Sequence, residues 1–271
     1  MGLIAPFSGY DAGTAYQMLL KTRAVVERWN GRGGIGGYRV ELVALDDEND
    51  PVVAAARIRA MAVDRDVVAV IARLSGRGEA AVAEYQRRGL PVVILGGPLA
   101  SPEAPDAVWR MCADAADEGQ QAARFAVGEL QSVRPAVVIG SGAGYRAAAS
   151  AFAAALGYRP FSVVLPLDEK PLSGQAGTTS YRLAETVANA GIDFVYFSGP
   201  YDIGASFASA LAQRSSARVL LGSDADTPAL AHLLPLKGTA IAHVSSCQTA
   251  APERPSSATR DGTSNPEAAG P

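Results

Sequence analysis

The sequence predicts an α/β protein of two lobes, each a doubly wound parallel sheet. Three observations predict it. Strand-sized apolar runs alternate with segments of helical period along most of the chain, the order that gives parallel strands, right-handed crossovers and helices on both sheet faces. Some of those runs, residues 67–71 above all, are continuously apolar, as strands buried on both faces are. The alternation breaks once, over about residues 101–119, where Pro102, Pro105 and several acidic residues leave no clear period. That break is read as the crossing between lobes, placing lobe 1 at residues 1–115 and lobe 2 at 116–246, with a polar tail over 247–271.

Each element has its own reason. Residues 1–6 form a short apolar strand. Residues 13–30 carry Ala15, Met18, Leu19, Val25, Val26 and Trp29 at the spacing of one buried helix face. Residues 38–45 are β-rich, with Val40, Leu42 and Val43. Asp50-Pro51 supplies an N-cap and a proline at the first helical position, so a helix follows over 52–64. A strand at 67–71, a helix at 79–88 and a strand at 91–95 complete lobe 1. In lobe 2 the predicted helices are 118–131, 145–156, 181–190, 203–213 and 228–234, alternating with strands at 136–139, 161–165, 194–197, 219–221 and 239–244. From Gln248 to Pro271 there is no Val, Ile, Leu, Met, Phe, Trp, Tyr or Cys. Such a segment buries too little apolar surface to offset its ordering entropy and is expected to be disordered.

Composition excludes several classes. The 271 residues are 48% apolar and 19% charged, with a net charge of −3, which excludes disorder for most of the chain and argues against a nucleic-acid partner. Cys112 and Cys247 are the only cysteines, too few for a disulfide scaffold. No apolar run reaches the length of a membrane span. Met1 leads directly into strand-like residues rather than a signal peptide, which taken at face value places the protein in the cytoplasm.

The motifs that suggest chemistry have plainer readings. Gly31, Gly33 and Gly36 match G-x-G-x-x-G, but a helix precedes and a strand follows, the reverse of a dinucleotide fingerprint. They read as a helix stop and a turn. Gly140-Ser141-Gly142-Ala143-Gly144 lies between a strand and a helix, but Tyr145 stands where the last glycine of that fingerprint belongs. Ser141 misses the nucleophile elbow by one residue. Asp46, Asp47, Glu48 and Asp50 lack the calcium-loop pattern and read as a solvated turn with Asp50 as cap. His232, His243 and Cys247 lack zinc-site spacing. With two histidines in the chain, no catalytic residue, metal or cofactor is expected, and the protein is not read as an enzyme.

One ordered set of segments carries a resemblance. Pro6-Phe7-Ser8-Gly9 ends the first strand. Trp29-Asn30-Gly31, Leu45-Asp46-Asp47, Val70-Ile71-Ala72, Gly89-Leu90-Pro91, Ala100-Ser101-Pro102, Gly191-Ile192-Asp193 and Leu221-Gly222-Ser223-Asp224 follow in order. The chain resembles the type I periplasmic binding proteins of branched-chain amino-acid ABC importers, the leucine/isoleucine/valine-binding family, over about residues 2–244. The resemblance implies a small amino acid or related polar metabolite held between the lobes by hinge closure, an extracytoplasmic location, an ABC permease as partner, and a monomer. Carried over by position, it implies that Asp224 meets an ammonium and Tyr201 lines the cleft from lobe 2. Ser8 and Tyr10 would lie in the first cleft loop of lobe 1. Ser75, Gly76 and Arg77 would form the carboxylate-binding segment, where Arg77 departs from the family's hydroxyl residues. Ala100 also departs, standing where a threonine is expected. The polar tail stands where family members return to lobe 1, so lobe 1 is expected to be incomplete and the chain truncated or frameshifted. A cytoplasmic ligand-sensing regulator on the same fold is the alternative, and a nucleotide-using α/β enzyme the third reading.

Overall fold

Among the described residues, two five-stranded sheets, every strand pair parallel, organise the fold. The computed structural model describes residues 1–9, 11–74, 79–96, 107–165, 176–226, 230–233 and 241–244. The predicted tail lies outside them.

Lobe 1 runs β1 (Gly2–Ala5), α1 (Ala12–Asn30), β2 (Val43–Asp46), α2 (Pro51–Val63), β3 (Val70–Ala72), α3 (Glu79–Arg88), β4 (Val92–Ile94) and β5 (Val108–Arg110). Its strand order is β2-β1-β3-β4-β5. The chain steps one way from β1 to β2, then back past β1 to β3. Right-handed crossovers therefore put α1 on one face and α2 and α3 on the other. The core under α2 and α3 is built from Ile4, Ile58, Met61, Val70, Tyr85, Val92 and Ile94. Asp50 caps α2 as the sequence predicts, its carboxylate accepting from the N–H groups of Val52 and Val53 at 2.7 and 3.2 Å.

Lobe 2 runs α4 (Ala115–Arg124), a π-helical turn (Phe125–Glu129), β6 (Pro135–Ile139), α5 (Ala143–Leu156), β7 (Phe161–Val164) and α6 (Ala176–Asn189). It continues through β8 (Phe194–Ser198), α7 (Tyr201–Ala212), β9 (Arg218–Leu221), a 3-10 turn (Ser223–Ala225), α8 (Leu230–Leu233) and β10 (Ile241–His243). The order is β10-β9-β8-β6-β7. Central β8 explains why such runs read as continuously apolar. Phe194 and Tyr196 pack with Phe152 of α5 on one face, while Val195 and Phe197 pack with Phe207 and Leu211 of α7 on the other.

Several boundaries differ from the sequence reading. The strand expected at 38–45 begins only at Val43, because the Asn30 side chain takes both backbone groups of Val40, its amide donating to the carbonyl at 2.8 Å and its oxygen accepting from the N–H at 2.8 Å. Val40 is thereby lost to the ladder. The break at 101–119 contains a strand, β5, which pairs with β4. The helix expected at 118–131 starts at Ala115, capped by Asp114, which accepts from Asp117 N–H at 2.9 Å. On α1, Val25 and Trp29 are exposed, and Ala15, Leu19 and Val26 carry the buried face. The glycines after α1 form the expected turn, with Gly33, Gly34, Gly36 and Gly37 at positive φ. Among the described residues no helix is long and apolar enough to cross a membrane.

Candidate functional site

Parallel strands bring their carboxyl ends to one edge, where open α/β sheets bind ligands. In lobe 1 that edge carries Asp11 between β1 and α1, Asp46 and Asp47 at the end of β2, and Arg73 directly after β3. In lobe 2 it carries Tyr145 near the start of α5, Tyr201 at the start of α7, and Asp224 just after β9.

Tyr201 lies within electrostatic reach of charged groups from both edges. It is 6% exposed. Burial first, then the charge of Asp11, push its phenol pKa up; Asp202 and Asp224 add to the rise and Arg73 opposes it. Asp11 and Arg73 belong to lobe 1, and Asp202 and Asp224 to lobe 2. The Tyr201 hydroxyl thus feels acidic groups from both lobes and a cation from lobe 1.

Asp224 sits in the 3-10 turn, 8% exposed. The Tyr145 hydroxyl donates to its carboxylate. Tyr145 is fixed in turn, its carbonyl accepting from the Ser198 hydroxyl at 3.0 Å. The glycine-rich turn serves this packing. A Cβ on Gly140 would stand 2.7 Å from the Tyr145 ring and 3.0 Å from Gly199 Cα. Gly140 thus allows β6 and β8 to end in contact, and nothing in its placement calls for a phosphate.

The acidic cluster of lobe 1 is only partly the solvated turn that the sequence suggests. Asp46 is held below its ordinary pKa: partial burial opposes this, but hydrogen bonds from Glu48 N–H, the Ser8 side chain and the N–H groups of Phe7 and Ser8 prevail. Asp47 is 3% exposed, and burial pushes its pKa from 3.8 up to about 6, against the bond from Asn49 N–H and the attraction of Arg73. Because the folded value is the higher one, the Asp47 contribution is fully present below about pH 4 and lost as pH rises through 6. An Asp47→Asn variant keeps an acceptor for Asn49 and never acquires the charge. It should gain stability over the wild type as pH rises from 4 to 7, approaching roughly 3 kcal/mol for a shift of about two units. Urea denaturation at several pH values reads this directly, and a pH-independent difference would exclude it.

Of the residues expected from sequence, Tyr201 and Asp224 lie together at the strand ends of lobe 2. Ser8 lies at the lobe 1 edge, exposed and engaged with Asp46. Tyr10, Ser75, Gly76 and Arg77 lie outside the described residues, as do Ala100 and Cys247. His243 is 3.6 Å from Asp226, which raises its pKa despite partial burial. No group of three or more potential metal ligands occurs among the described residues. Sequence reasoning missed Asp11, Asp47, Arg73 and Tyr145 as edge residues. Their positions just beyond strand ends are the signal that finds them. Cys112 lies just after β5, and its Sγ accepts from Gly96 N–H at 3.2 Å.

The chain matches the family model described as "Periplasmic binding protein" over residues 1–265. No curated protein sequence matches it. Among solved structures it is similar to a leucine-binding protein from Thermotoga maritima, at 20% identity and TM-score 0.69, covering 86% of this chain and 65% of that one. It is similar to the branched-chain amino acid transporter substrate-binding protein of Streptococcus pneumoniae, solved with isoleucine, at 18% identity and TM-score 0.65, covering 83% and 64%. It is also similar to a solute-binding protein of an ABC transporter from Rhodopseudomonas palustris, solved with 3,4-dihydroxybenzoic acid, at 17% identity and TM-score 0.63, covering 82% and 61%. At these identities the likeness shows the fold, and the chain spans just under two thirds of the length of these three. The fold and a family match over nearly the whole sequence agree: this chain belongs to the periplasmic binding protein family.

Proposed function

We propose that this chain is the extracytoplasmic solute-binding component of an ABC importer, closing its lobes on a small amino acid or related polar metabolite. The observation that carries the reading is Tyr201 of lobe 2 set against Asp11 and Arg73 of lobe 1. A ligand contacting groups on both lobes stabilises the closed form over the open one, which is what drives a hinge. The charges suit a zwitterion. Arg73 offers a planar fork for a carboxylate, while Asp224 and Asp11 offer negative charge for an ammonium. The leucine and isoleucine binders and the dihydroxybenzoate complex among the similar structures support a carboxylate as the shared feature. On this reading the protein works as a monomer that delivers its ligand to a membrane permease and performs no chemistry.

A thermal melt with a panel of L-leucine, L-isoleucine, 3,4-dihydroxybenzoate, short amides and nucleotides tests it. A ligand at 100 times its Kd stabilises the native state by about 2.7 kcal/mol. The expected result is a rise in Tm with an amino acid or aromatic acid. A rise with nucleotides alone, or with no member of the panel, overturns the reading.

A further inference from the structure

We infer that Glu118 is a positioning residue of the binding site: its carboxyl ties the Ser223–Ala225 turn to the sheet of lobe 2 and so sets where Asp224 stands. This rests on the reading of Asp224 as a ligand residue. Glu118 lies in the first turn of α4, 1% exposed. The Tyr196 hydroxyl donates to its Oε1 at 2.5 Å, and the Ser223 hydroxyl donates to its Oε2. One oxygen therefore engages central strand β8 and the other engages the residue directly before Asp224. The backbone is shaped for this approach, since a Cβ on Gly222 would stand 2.7 Å from Glu118 Oε1. Asp224 is in turn held by Tyr145. The carboxyl of α4 and the phenol of α5 thus grip consecutive residues of one short turn.

The surroundings of Glu118 and the bonds it accepts act on its protonation in opposite directions. The titratable groups facing Glu118 are Tyr196 from β8 and Asp224 from the turn. The packing around α4 is otherwise apolar, with Ala148 and Phe152 from α5, Val137 from β6 and Leu220 from β9. Burial above all holds the Glu118 carboxyl above the usual carboxylate range, and Asp224 adds to this against the bonds from Ser223 and Tyr196. Glu118 keeps its proton to higher pH than an ordinary glutamate.

Amide hydrogen exchange on the full chain tests this without any ligand. The reporters are Ala225 N–H, bonded to Gly222 O at 3.0 Å, and Asp226 N–H, bonded to Ser223 O at 3.1 Å. Glu118→Ala leaves two buried hydroxyls without their acceptor and should speed exchange at these amides by about tenfold or more, with β6 amides little changed. Glu118→Gln keeps an acceptor for Tyr196 and offers an amide to Ser223. It should restore protection at these amides. Unchanged turn amides, equal acceleration throughout lobe 2, or failure of Glu118→Gln to rescue would overturn the inference. Calorimetric titration of wild type and Asp224→Ala with L-leucine forms a separate arm. If L-leucine binds both alike or neither, the ligand role of Asp224 falls while the exchange data still decide the role of Glu118.

Discussion

Asp224→Ala should cost an amino-acid ligand most of its affinity. Removing one partner of a buried charge pair typically costs 2–5 kcal/mol, or roughly thirty- to several-thousand-fold in Kd, because the partner ammonium stays buried without compensation. Folding should suffer far less. The variant removes a carboxylate that is 8% exposed and that accepts a hydrogen bond from Tyr145, and the net contribution of such a bond to stability is modest. Asp224→Asn separates charge from shape. An asparagine still accepts from Tyr145, so the turn keeps its form, but it offers an ammonium no counter-charge. L-leucine should therefore bind Asp224→Asn much more weakly than wild type. A ligand with a carboxylate and no ammonium, such as 3,4-dihydroxybenzoate, should bind it at least as well as wild type. Calorimetry with both ligands decides the matter. Undiminished L-leucine binding by Asp224→Asn would mean that the ammonium sits elsewhere, with Asp11 the next residue to replace.

What the sequence could reveal follows from which forces are local. The alternation of runs and helical periods is local, and it led to the two parallel sheets and most elements. Strand β5 escaped because only Val108 of its three residues is buried, while Trp109 is 53% exposed. A short edge strand with one buried residue has no period to detect. Residues 38–42 misled in the opposite direction. Val40 and Leu42 suit a strand, but the Asn30 side chain ten residues earlier satisfies the Val40 backbone instead. Propensity cannot register that competition.

The site divides the same way. Tyr201 and Asp224 were found because they follow strands and match a family pattern. Tyr145 was hidden in plain view, read only as the residue that spoils a glycine fingerprint. Arg73, Asp11 and Asp47 were passed over because a charged residue beside a turn is normally solvated. Burial of Asp11 and Asp47 to 6% and 3% exposure is a tertiary fact, created when strands distant in sequence end at the same edge. The same holds for Glu118, which meets Ser223 more than a hundred residues away.

The largest loss of stability should come from Gly119→Ala, one residue beyond Glu118. A Cβ there would stand 2.7 Å from Phe152 N and 2.9 Å from Ala151 Cβ, and closer still to the Ala148 carbonyl. Two of these three are backbone atoms of α5, so no rotamer change can relieve the contact and the helices must separate. Overpacking of a fitted core costs typically 1–3 kcal/mol and occasionally more. A rigid backbone neighbour places this site at the upper end, after subtracting the ~1 kcal/mol that alanine gains over glycine in a helix. Gly13→Ala is the control. Gly13 also lies in a helix, α1, but nothing stands within 4 Å of its would-be Cβ, so this variant should be stabilised by up to ~1 kcal/mol. Urea denaturation of the two variants should give opposite signs, and equal effects would show that α4 and α5 can slide apart freely. The consequence for binding follows from chain order. A separation of α4 from α5 at Gly119 moves Glu118 on one side and Tyr145 on the other, the two residues that grip the Asp224 turn. Gly119→Ala should therefore also speed exchange at Ala225 and Asp226, coupling the close packing of α4 on α5 to the binding edge some turns away.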